Sequence, residues 1–201
     1  MKKALSSKGE RTKQFVIEQA ANVFNKNGYH GTSVQHLRAA TRLTSGVIYS
    51  NFDGKQELAE KAFEWNVERL NASYKSAFQS KSSAREKLTA FIEHPYKMVH
   101  RSFGGGCPIL NMSTEADDHL PWMRKKVIAA IDTMTKMVGE ILQDGIANGE
   151  FRPIDVKQTG LFIFAAIEGS IMLAKAHEQL QMLKTVELQL KQYAEAVIFK
   201  S

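Results

Sequence analysis

Cys107 stands between His100 and His119, and a thiol beside an imidazole is the pattern of an activated nucleophile. An enzyme needs a convergent set of reactive groups, however, and a lone cysteine is more often a small buried hydrophobe. Cys107, Asp117, Asp118 and His119 would supply metal-ligand atoms, but their spacing matches no metal motif with a mechanical basis. Gly104-Gly105-Gly106 lacks the Lys-Ser/Thr of a phosphate loop and reads as a hinge. No enzyme activity, metal or cofactor is expected. A different chemistry is offered by Thr44, Ser45 and Asn51, small hydrogen-bonding side chains beside Gly46, with Tyr49, Lys55 and Arg42 nearby. Such groups suit base edges and phosphates.

The charge supports that second reading. The 201-residue chain carries 27 Lys and Arg against 21 Asp and Glu, a net charge of +6. Residues 1–55 hold nine cations (Lys2, Lys3, Lys8, Arg11, Lys13, Lys26, Arg38, Arg42, Lys55) and three anions (Glu10, Glu18, Asp53), so the whole excess lies there. An excess confined to one end points to an anionic partner at that end. With one Cys, neither an intramolecular disulfide nor a Cys-based zinc cluster is possible, and a reducing, cytoplasmic setting is expected. The polar N-terminus is not a signal peptide, and Leu161–Ala174, interrupted by Glu168, is too short to span a bilayer, so no membrane partner is expected.

Apolar spacings of three and four residues predict an all-α chain of about nine helices. The first runs from Lys8 to Lys26 and stops at Asn27-Gly28. The second opens at Thr32-Ser33, with Thr32 and Gln35 as a capping box, and turns Val34 and Leu37 inward. The third opens at Thr44 and turns Val47, Ile48 and Phe52 inward; Asp53 with Gln56 caps a fourth that reaches Phe78. Further helices are expected near 84–103, 108–115, 120–148, 155–180 and 185–199. Two short helices around a tight turn form a helix-turn-helix.

The run from Arg11 to Lys55, with Ala20-Ala21, Phe24, Gly28-Tyr29, Thr32-Ser33-Val34, Leu37, Ala40 and the closing Tyr49-x-x-Phe52-x-x-Lys55, closely resembles the DNA-binding domain of the TetR family of transcriptional repressors. The resemblance implies a homodimer that binds palindromic operator DNA through a small DNA-binding domain over 1–54 and an inducing, largely apolar small molecule through a larger ligand-binding and dimerisation domain over 55–201. It makes Lys55 a phosphate contact beside a helix N-terminus. It adds Thr32, Ser33 and Tyr49 as backbone contacts and Thr44, Ser45, Gly46 and Asn51 as base-level groups. Arg38 and Arg42 depart from the family, which usually has a small Ala and the turn Gly there. Arg42 must then accept a strained turn, and both cations are either phosphate contacts or neutral replacements. The segment Gly104–Asn111, with Glu115–Asp118 and Asn148–Glu150, resembles an LmrA/YxaF-type subgroup.

In the second domain the apolar circumference of the 155–180 helix predicts burial on two sides, with Phe162, Gly169, Met172 and Leu173, and Tyr193 and Val197 of the last helix, at a dimer interface. Phe63, Tyr96, Trp122, Met134 and Phe164, with polar His100, Cys107, Asn111 and Glu168, are the candidate ligand residues. Glu168 is an acid among apolar neighbours and needs a partner, a proton or a cationic ligand. Two alternatives stay open: a Cys107-based redox sensor, and a DNA-binding dimer without an effector.

Overall fold

The computed structural model describes residues 8–101, 105–117 and 119–200; Lys2 and Lys3 lie outside them, as do the side chains of residues 99–101. Among the described residues there are nine α-helices: α1 Lys8–Asn27, α2 Val34–Thr41, α3 Ser45–Tyr49, α4 Gly54–Phe78, α5 Ala84–Arg101, α6 Pro108–Ala116, α7 Pro121–Ala147, α8 Val156–Ala176 and α9 Gln181–Tyr193. A π-helical turn, Ala194–Ile198, ends the chain's helical part. An isolated antiparallel bridge then pairs Phe151 with Phe199.

The termini of these helices follow local chemistry. Gly28, at φ +72°, ends α1 in the left-handed conformation that suits glycine. Pro108 and Pro121 open α6 and α7, where a missing N–H costs nothing. α8 stops four residues before the expected Leu180: Glu178 takes φ +54°, the chain reverses, and α9 starts at Gln181.

Two apolar cores result. The first gathers Val16, Ala20, Ala21 and Phe24 of α1, Leu37 of α2, Ile48 and Phe52 around α3, and Leu58, Ala59 and Ala62 of α4. The second fills the space among α4 to α9 and takes Phe63, Leu70 and Tyr74 from α4. α4 therefore belongs to both. Lys126 of α7 fixes it further by reaching Glu60 and Glu64 at 3.2 and 2.6 Å.

α8 packs against α7 and α9. Its 21 residues make it, among the described residues, the one helix long and apolar enough by length and composition to cross a membrane, which corrects the expectation that this stretch is too short. Its inner face is part of the second core, with Ile163, Phe164, Ile167 and Ile171 buried.

Candidate nucleic-acid interface

α2 and α3 have eight and five residues, too few to hold a helix in water unaided. Leu37, Ile48 and Phe52 anchor them in the first core, each contributing roughly 1.5–3 kcal/mol by burial. Ser33 caps α2: its Oγ accepts from the His36 N–H, and His36 Nδ1 accepts from the Ser33 N–H. The capping box is thus Ser33–His36 and not Thr32–Gln35. Thr32 is buried, and its hydroxyl donates to the Gly28 carbonyl at 2.6 Å, so this side chain braces the α1–α2 corner and is not turned to a phosphate. Asp53 likewise makes no side-chain cap; its own N–H donates to Glu57.

Arg42 ends α2 at φ 58°, ψ 24°, donating its N–H to the Arg38 carbonyl at 2.8 Å. This is the left-handed turn that the missing glycine predicts. Thr41 supports it from inside, its hydroxyl donating to Leu37 and accepting from the Leu43 N–H. Arg38 and Arg42 line an exposed groove with Gln35 and Thr44. Arg42→Gly is expected to stabilise the fold by about 0.5–1 kcal/mol, because glycine takes this conformation without strain. If the guanidinium meets a phosphate, the same change weakens DNA binding and flattens its salt dependence. Denaturant unfolding beside a salt titration of binding checks both, and an unchanged salt slope makes Arg42 a neutral replacement.

Thr44 caps α3, its Oγ1 accepting from the Val47 N–H. Ile48 is buried, while Thr44, Ser45, Gly46, Val47 and Ser50 form an exposed row, flanked by half-buried Tyr49 and Asn51. Val34 and Val47, expected inward, are 40% and 41% exposed. Val47 is turned about 100° around α3 from the buried Ile48 and belongs to the exposed surface, a residue the sequence reading missed, while Val34, in the first turn of α2, stays exposed one turn before the buried Leu37.

Lys55, in the first turn of α4, holds its Nζ 4.5 Å above the Tyr29 ring. Partial burial lowers its affinity for a proton, and the nearby Glu115 carboxylate opposes that shift. Lys13 stands over the Phe52 ring at 5.1 Å. Burial, with Tyr29 beside it, raises the Tyr49 phenol.

This arrangement is a short helix held out from a small apolar core, with cations on either side of it. The comparisons agree with it. Residues 16–62 match a family model described as bacterial regulatory proteins, tetR family, and residues 84–189 match one described as tetracyclin repressor-like, C-terminal domain. The chain is a member of the TetR family. A TetR transcriptional regulator from Chloroflexus aurantiacus J-10-FL is 34% identical, with 96% of this chain and 99% of that chain covered and a TM-score of 0.92. A TetR-family regulator from Cytophaga hutchinsonii is also 34% identical, with 98% and 100% covered and a TM-score of 0.89. Among sequence relatives, the transcriptional repressor KstR2 of Mycolicibacterium smegmatis is 26% identical over 149 residues, 74% of this chain and 72% of that protein. The protein is thus a DNA-binding transcriptional regulator and not an enzyme.

In this TetR-family chain the second domain is tied to the first by polar contacts that the sequence reading did not assign. The Tyr29 N–H donates to Glu115 Oε2 at 2.6 Å, and the Tyr29 ring meets Trp122 edge-on at 5.2 Å. Asn25 is buried at the end of α1 and donates to the Gly106 carbonyl at 3.1 Å. Asn111 Nδ2 bridges Asn25 and the Gly105 carbonyl, and Lys175 of α8 donates to Asn111 Oδ1 at 3.1 Å. Asn111 and Trp122 therefore lie at the α1–α6–α7 contact, not in an interior cavity. The available signal was Asn25 itself, one helical turn after Ala21 on the inner face of α1.

Of the other candidate ligand residues, Phe63, Met134, Phe164 and Cys107 are packed core. Tyr96 is half-buried under Lys184, and the His100 side chain lies outside the described residues. Cys107 and Glu168 meet: the thiol donates to the carboxylate, whose Oε2 is buried without a hydrogen-bond partner. Desolvation, with the Cys107 bond opposing it, pushes Glu168 up to about 7. Burial first, then the Glu168 charge, pushes the Cys107 thiol well above its ordinary range.

The expected interface residues of α8 share one outward face. Leu161, Phe162, Met172 and Leu173 are exposed, Gly169 has open space before it, and Phe162 packs edge-on against Tyr193 at 5.1 Å. Leu188 and Val197 continue the surface.

Proposed function

We propose that the protein is a cytoplasmic homodimeric repressor that releases a palindromic operator when a small molecule binds its C-terminal domain. The division is placed near residue 54, where α4 begins, although the first turns of α4 pack into the first core. The observation that carries the DNA-binding part is the exposed row of α3 flanked by Lys55, Arg38 and Arg42. Phosphate neutralisation makes such binding steeply salt-dependent. Half-sites would lie about one helical turn apart, roughly 34–36 Å. Ser33, Tyr49 and Lys55 contact the backbone, Arg42 stands beside them, and Ser45 and Gly46 face the bases with Thr44, whereas the Asn51 amide, expected at base level, bonds back to Val47 and Ser50.

Lys55→Ala should weaken operator binding and lower the slope of log affinity against log salt by about 0.9 per half-site, one phosphate contact each. An unchanged slope in a folded Lys55→Ala dimer would remove Lys55 from the contact. Subgroup membership of the LmrA/YxaF type is proposed on the Gly104–Asn111 segment, in which the Gly106 carbonyl accepts from Asn25 and the Gly105 carbonyl from Asn111.

Coupling between effector and DNA runs through α6. Glu115, Asn111 and the Gly105-Gly106 backbone hold the end of α1, so a shift of α6 moves α1 and, through the shared core, α3. Regulation requires the effector to prefer the displaced state, by about 1.4 kcal/mol for each tenfold loss of DNA affinity. A second reading, a dimer without effector, is favoured by one observation: the expected lining residues Phe63, Met134 and Phe164 are packed core. A thermal-shift ligand screen separates the two. The redox reading is disfavoured, since a buried thiol held protonated is the opposite of a peroxide-reactive one.

A further inference from the structure

We propose that Val47 reads the C5-methyl group of a thymine, so that each operator half-site carries a thymine at one fixed position. The inference rests on the proposed mode of DNA binding and names the chemistry by which α3 selects its sequence.

The starting point is what the side chains of α3 have left to offer. Thr44 Oγ1 already accepts the Val47 N–H. Ser50 donates its hydroxyl proton to the Val47 carbonyl at 3.0 Å. Asn51 Nδ2 donates to the same carbonyl at 3.3 Å and to Ser50 Oγ at 3.2 Å, which uses both amide protons. The Ser50 hydroxyl and the Asn51 amide are therefore turned back on the helix, and Tyr49 is half-buried. What remains on the outward face at this point is the isopropyl group of Val47, 41% exposed although its neighbour Ile48 is fully buried.

An isolated exposed valine is ordinary on a protein surface. Here its surroundings give it a task. Gly46 precedes it with nothing within 4 Å of the place a Cβ would occupy, so the backbone meets no side chain of its own protein on that side. In the major groove the one apolar feature that distinguishes a base pair is the thymine methyl. A β-branched side chain with a single preferred rotamer in a helix presents its two methyl groups in fixed positions, which suits contact with one methyl and not with a polar edge. Arg38, in the last turn of α2, and Arg42, on the turn before α3, supply charge, not this discrimination.

The test starts by enriching bound fragments from a random DNA pool with the full-length protein. Each thymine of the enriched half-site is then replaced by deoxyuridine, which removes only the methyl group. At one position the replacement should weaken binding about fourfold, the worth of one buried methyl. Val47→Ala, which removes the contact from both half-sites of the dimer, should bind the unmodified operator about sixteenfold more weakly, about fourfold per half-site, and show no further loss with deoxyuridine at that position. The exposed position of Val47 lets the variant fold, and a thermal melt verifies it. Equal binding of thymine and uracil at every position overturns the proposal, as does a Val47→Ala protein that keeps the methyl dependence. A wild-type protein that enriches no sequence overturns the DNA-binding mode itself, so the two failures are told apart.

Discussion

Leu173→Asp is expected to give a folded monomer that binds its operator at least about a hundredfold more weakly, because two half-site contacts then act separately and the gain from linkage, about 10²–10⁴, is lost. Leu161, Phe162, Met172 and Leu173 make an apolar surface along α8, and Leu188 and Val197 extend it onto α9 and the last turn. In an isolated protomer Leu173 is 43% exposed, so a carboxylate there meets water and costs the fold little. In a twofold interface the same residue approaches its symmetry mate or the apolar surface around it, and two desolvated charges cannot be accommodated. Sedimentation should show half the mass, and the melting temperature should no longer depend on protein concentration. A variant that remains dimeric would place the interface elsewhere.

Glu168→Gln is expected to abolish a pH dependence worth about 3 kcal/mol, taking each unit of pKa shift as about 1.4 kcal/mol. The ordinary value is 4.5, and desolvation raises the folded-state value to about 7. Below pH 4.5 both folded and unfolded chains keep the proton. Between 4.5 and about 7 the unfolded chain releases it while the folded chain keeps it, so stability falls as pH rises. Above about 7 the loss is complete and constant. The wild type and Glu168→Gln should therefore have nearly equal stability close to pH 4.5 and differ by about 3 kcal/mol at pH 8, the variant being the more stable. His94, lowered by burial, works in the opposite sense, losing stability as pH falls through its range, but it contributes equally to both proteins and cancels. Urea unfolding at four pH values measures the difference, and parallel curves would mean that Glu168 is ionised and paired in the fold.

The helix order was legible because apolar spacing and the punctuation at Gly28, Pro108 and Pro121 are local signals. Faces of short helices were not: one or two turns leave Val34 and Val47 with no periodicity to decide their direction, and only the packing of Leu37, Ile48 and Phe52 does so. Thr32 illustrates a second limit, since a threonine's hydroxyl is equally suited to a phosphate and to the Gly28 carbonyl, and burial chooses between them. The Asn25–Asn111 and Tyr29–Glu115 contacts join residues 86 positions apart, a separation that no local pattern encodes. The left-handed conformation of Arg42 was legible because the turn between α2 and α3 demands it.

α4 gives Leu58, Ala59 and Ala62 to one core and Phe63, Leu70 and Tyr74 to the other. Modularity is thereby restricted: a hybrid regulator cut at residue 54 would strip the reading head of three core side chains and leave a recipient helix with foreign ones. A transplantable head must carry the chain through Ala62, and must find on its host a carboxylate where Glu115 receives the Tyr29 N–H. Changing side chains on α3 therefore disturbs the fold less than exchanging the whole N-terminal segment at residue 54.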